Sequence, residues 1–171
     1  MTGDRWHPSQ LLMALPGLLT IVLVLMGTVP IGAPLLGPAL PSFGLIAVFV
    51  WATHRPDLLP HWLAFGIGLT QDLVLGGPLG MNALIFLIVQ GICASQRRFI
   101  AGRPFLLGWL GFAIIAVAVA IAQWVIACAY LVALVPIEAS LMQATITIAL
   151  FPLIAAPLMY LAIRLGREDA A

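Results

Sequence analysis

Residues 62–84 read WLAFGIGLTQDLVLGGPLGMNAL. An apolar run ends in Gly76-Gly77-Pro78-Leu79-Gly80, and a second apolar run opens at Met81. Glycine and proline at that density interrupt helices, so the stretch predicts two helices joined by a tight corner. One carboxylate, Asp72, lies inside the first run. Ala64, Gly68, Asp72 and Gly76 recur every four residues and share one helical face. Small residues on that face let another helix approach closely, which turns Asp72 toward protein rather than lipid.

The rest of the chain has the same character. Its 171 residues are 63% hydrophobic and 8% charged, where a soluble domain carries roughly 25% charge. Lipid is the solvent that tolerates such a surface. A crossing helix needs about 20 apolar residues for a core about 30 Å thick. On that measure the chain reads as an all-α, polytopic membrane helix bundle of about six spans, a single domain over residues 1–171. The spans fall at about 11–29, 42–53, 58–75, 81–95, 105–133 and 140–163. The first follows a lone Arg5 with no convincing cleavage site, so it reads as a retained helix with Pro16 near its start. The second is the weakest, squeezed between a proline-rich connection at 30–41 and the polar His54-Arg55-Pro56-Asp57. It is allowed to begin as early as Leu35. The fifth apolar stretch, Pro104 to Leu134, would reach about 46 Å as one helix, so it must tilt, overshoot the membrane or start along the interface. Pro152 and Pro157 are expected to kink the sixth span.

Charge placement argues for the second span. With six crossings, both termini and the loops at 54–57 and 96–103 share one side. That side then holds Arg5, Arg55, Arg97, Arg98, Arg103, Arg164 and Arg167, all seven basic residues. The positive-inside rule makes it cytoplasmic. Were the second span not to cross, Arg55, Arg97, Arg98 and Arg103 would move outside.

A net charge of +1 excludes the broad basic surface of a nucleic-acid binder. Cys93 and Cys128 sit in apolar runs without metal or disulfide spacing, and His7, His54 and His61 form no ligand pattern. No nucleophile–base set, phosphate loop or paired carboxylates occur, so no enzyme activity, metal or cofactor is expected. Asp72 is the one acidic residue within a span, and an intramembrane carboxylate is a candidate site. A helix C-terminus disfavours it, but the next helix opens a few residues later with unsatisfied N–H groups. A fold of the 76–80 corner would let Asp72 accept from those groups with Asn82 beside them, a clasp between two helices. Partner or ligand binding and proton coupling are the competing roles. Gln90 and Gln123 read as packing amides, Thr145 and Thr147 as hydroxyls bonded back to their own helix. Trp51, Trp62 and Trp109 are expected as interfacial anchors. The Arg97, Arg98 and Arg103 loop orients the chain and is available to anionic lipid or a cytoplasmic partner.

The corner also carries a resemblance. Gly68, Asp72, Gly76, Pro78, Leu79, Gly80, Ala83 and Leu84 resemble the core pattern of the rod shape-determining MreD family, and His54 to Pro60 is similar to that family's preceding polar loop. The resemblance implies a non-enzymatic protein of the bacterial inner membrane, acting in cell elongation and lateral peptidoglycan synthesis. It implies partnership with the bitopic protein MreC, and with MreB, RodA and a penicillin-binding protein. It further implies a fold similar to the membrane substrate-binding subunits of energy-coupling-factor transporters. That likeness supplies the rival reading, a vitamin-type uptake subunit.

Overall fold

The structure, a computed structural model, describes residues 8–28, 40–100 and 104–168, with side chains over 16–27, 40–97 and 104–165. Within them the chain is all-helical: α1 (Pro8–Thr28), α2 (Phe43–His54), α3 (His61–Leu75), α4 (Met81–Ile100), α5 (Phe105–Leu131) and α6 (Glu138–Glu168). One helix falls on each of the six apolar stretches.

The shortest helix is the centre. All ten residues from Gly44 to Thr53 in α2 are buried. A helix that is apolar all round has no face to offer water and belongs inside. α2 packs against α1, α4 and α6. Phe49 meets Phe112 of α5 edge-on at 5.2 Å and Phe151 of α6 at 5.7 Å, while those two rings stack at 4.3 Å. Such aromatic contacts add about 0.5–1.5 kcal/mol per pair beyond area burial.

This placement corrects one expectation. Trp51 is not an interfacial anchor but fully buried, because the helix that carries it is enclosed on every side. Its Nε1–H finds no acceptor among the described residues. Trp62 is 72% exposed. Trp109 is half-buried and donates its Nε1–H to the Ile148 carbonyl of α6 at 3.0 Å.

The segments Phe105–Leu131 and Glu138–Leu165, in α5 and α6, are long and apolar enough to cross a membrane. Their outward faces carry large exposed side chains, among them Ile114, Val125, Leu153 and Ile163. α6 runs unbroken through Pro152 and Pro157, as membrane helices tolerate proline when neighbours satisfy the freed groups. α1 starts at Pro8, so Pro16 sits in its interior rather than near its start, and the Pro16 carbonyl accepts from the Thr20 hydroxyl at 2.7 Å. α5 ends in Val132 at φ 50°, a left-handed β-branched residue that is 91% exposed; that conformation is strained for valine. The expected connection at 30–41, and a start of α2 near Leu35, lie almost wholly outside the described residues.

At the opposite end of α2 the loop to α3 is pinned twice. Arg55 and Asp57 pair at 2.8 Å. Gln90 of α4 donates its amide to the Leu59 carbonyl at 2.9 Å.

Candidate functional site

The α3–α4 corner begins with a close approach. A methyl group at Gly68 would lie 2.5 Å from the Ala83 Cα and 2.6 Å from the Asn82 carbonyl oxygen. Only glycine lets the two backbones come that near. One turn later, Asp72 is 1% exposed and faces the first turn of α4.

Its carboxylate is saturated. Oδ2 accepts from the Gly80 N–H at 2.9 Å and the Ala83 N–H at 3.3 Å. Oδ1 accepts from the Asn82 N–H at 3.0 Å and from the Asn82 side-chain amide at 2.8 Å. A helix leaves its first N–H groups without intrahelical partners. In α4 the remaining one, of Met81, reaches the Pro78 carbonyl at 3.2 Å. The four opening N–H groups, Gly80 to Ala83, are thus all satisfied inside the corner. The partial positive charge of the α4 N-terminus faces the carboxylate and offsets the unfavourable C-terminal end of α3.

Two glycines shape the turn that makes this possible. Gly76, at φ +68°, ends α3 and donates its N–H to the Asp72 carbonyl at 3.0 Å. Gly80 takes φ +94° just before α4. Both conformations are strained for any residue with a Cβ. The network extends to a third helix: Asn82 accepts at its Oδ1 from the Gln123 amide of α5 at 2.8 Å. Gly68, Asp72, Gly76, Pro78, Gly80 and Asn82 are therefore brought together in one joint.

Of the basic loop, Arg97 is placed apart from it. Arg97 is exposed near the far end of α4. Arg98 has only its backbone described, and Arg103 lies outside the described residues. Among the described residues no group of three metal-ligating acids, histidines or cysteines occurs.

Thr145 and Thr147 bond back to their own helix as expected, and Thr147 also takes part in a contact that the sequence did not reveal. Ser42, ahead of α2, donates its N–H to the Thr147 hydroxyl of α6 at 3.1 Å, and Thr147 donates onward to the Gln143 carbonyl at 2.6 Å. Gln71, next to Asp72, is also buried. Its signal in the sequence is a polar residue in an apolar run.

The model of the rod shape-determining protein MreD family matches residues 8–161 of the chain. No curated protein and no solved structure matches it. The matched residues include every helix up to most of α6 and the whole Asp72 joint. The chain belongs to the MreD family, rod shape-determining membrane proteins.

Proposed function

We propose that the protein is a non-enzymatic scaffold of the bacterial inner membrane that binds an MreC-like bitopic protein and helps position the cell-elongation machinery. In this reading all six helices cross the bilayer and both termini are cytoplasmic. MreB, RodA and a penicillin-binding protein act beside it.

The observation that carries the reading is the saturated Asp72. Its carboxylate accepts four hydrogen bonds from its own chain, so it serves as a joint rather than as a free acid, base or ligand. What the protein offers to others is surface: apolar helix faces on α3 to α6, such as Phe65, Ile88, Ile114 and Leu153. Helix association in lipid works through such packed faces. The uptake reading gains no specific support. The two described cavities enclose about 30 and 10 Å³, against roughly 300–1,000 Å³ for a pocket that binds a drug-sized molecule.

Co-purification in detergent with the MreC-like protein tests the proposal. Wild type should retain the partner, and Gly68→Leu, which forces α3 from α4, should lose it. Absence of the partner from wild-type preparations overturns the scaffold reading.

A further inference from the structure

The end of α5 runs past the helices beside it. Gln123 of α5 is level with the first turn of α4, because its amide reaches the Asn82 side chain at 2.8 Å. A short connection joins the end of α4 to the start of α5, so the two helices run antiparallel and α5 continues beyond the start of α4. It goes on to Leu131, about eight residues or about 12 Å further. Burial follows the same division. The buried residues of α5 lie between Gly108 and Ala120, and none is buried between Trp124 and Pro136. α6 has no buried residue before Ala144.

This free end is apolar. No charged residue occurs between Arg103 and Glu138. From Val125 to Ile137 the side chains offer the Tyr130 hydroxyl, the Cys128 thiol and nothing else polar. Val132 and Leu134 are 91% and 90% exposed. Val132 also holds φ 50°, a conformation that glycine or asparagine takes far more readily than a β-branched residue. A turn standing in water gains nothing from valine at that place, whereas one set against an apolar medium does.

The main chain points to the same medium. After Val132 the chain folds back, and the Trp124 indole N–H donates to the Val135 carbonyl at 2.8 Å. In water that carbonyl needs no side chain to satisfy it; next to hydrocarbon it must find a donor within the protein. Yet the last turn of a helix leaves carbonyls without intrahelical partners, which calls for water or headgroup donors close by. Tyr130, exposed beside that turn, has the apolar ring and polar tip that settle at headgroup level. Apolar cover with polar donors at hand describes the boundary between headgroups and acyl chains. That layer is roughly 5–8 Å deep on each side, less than the overhang of α5, and a tilted bundle or a raised leaflet brings the two together.

We propose that the free end of α5 and its return segment, residues 124–137, form a lipid-docking surface that beds in the boundary between phospholipid headgroups and acyl chains. The proposal stands on the membrane character of the family and not on the scaffold reading. Its test uses the full chain with Cys93 and Cys128 replaced by alanine, in vesicles of phosphatidylethanolamine and phosphatidylglycerol. Val132→Cys carries an environment-sensitive bimane label, and Leu134→Cys repeats the measurement outside the left-handed turn. Both labels should emit to the blue of the same label on Gln96→Cys. Both should lose intensity to a nitroxide lipid labelled near the headgroup and none to iodide supplied on both sides. Quenching by iodide alone would place this end in water. Protection from both quenchers would mean that protein, such as a second copy of the chain, covers it. Strongest quenching by a nitroxide at the bilayer midplane would place it in the core. Each of these three results overturns the proposal and leaves the scaffold reading untouched.

Discussion

Asp72 accepts four hydrogen bonds from the opening of the next helix. It replaces water as the acceptor for a helix start that is buried at its corner. The test is its amide. In Asp72→Asn one oxygen becomes an NH2 group, which then faces N–H donors of Gly80 or Asn82. Two buried donors lose their acceptor, at roughly 1–3 kcal/mol each. The variant should lose about 2–4 kcal/mol of stability in detergent, read as a lowered unfolding midpoint. An unchanged midpoint would mean that the carboxylate charge contributes nothing to the joint. A smaller effect is expected at Gly80. Gly80→Ala meets no neighbour within 4 Å but must hold φ +94°, at about 1–2 kcal/mol. The same midpoint measurement separates the two.

At the scale of elements, α3 supplies a matched pair of glycines. Gly68 and Gly66 lie two residues apart in one helix. A methyl group at Gly68 strikes the Ala83 backbone, whereas at Gly66 it meets nothing within 4 Å. Gly68→Ala should cost about 1–3 kcal/mol or more through overpacking, and Gly66→Ala should be neutral or stabilising by up to about 1 kcal/mol through helix propensity. Equal effects in thermal unfolding would remove the close approach as the reason for Gly68. The four-residue spacing of Ala64, Gly68, Asp72 and Gly76 made this face legible in the sequence, since helical geometry alone sets which residues share a side. The hydrogen bond from Gln123 to Asn82 was not legible. It depends on how α5 leans against α4, which no local pattern encodes. Trp51 was misread for a related reason: tryptophan near a span end suits an interface, and only the packing around α2 reveals that this end is enclosed.

At the scale of the molecule, the question is whether α2 crosses, as the proposed six-crossing topology has it. Its 12 residues make a helix about 18 Å long, well short of a hydrocarbon core about 30 Å thick. Among the described residues, two segments, in α5 and α6, are long and apolar enough to cross a membrane. In the proposed topology α2 escapes that length rule because it is enclosed by the other helices and does not have to match the lipid. Ahead of the helix Ser42 donates its N–H to the Thr147 hydroxyl of α6, and at the finish the Arg55 N–H donates to the Trp51 carbonyl. Charge placement in the sequence supported this crossing when hydropathy did not, because the arginines respond to topology and not to span length. The prediction is direct. In a background with Cys93 and Cys128 replaced by alanine, single cysteines at Asp57, Gly77 and Gln96 are offered an impermeant maleimide in spheroplasts. Gly77→Cys should react at once, and Asp57→Cys and Gln96→Cys only after the membrane is opened. Labelling of the latter two in intact spheroplasts would mean that α2 turns back before crossing. The Asp72 joint would then face the cytoplasm.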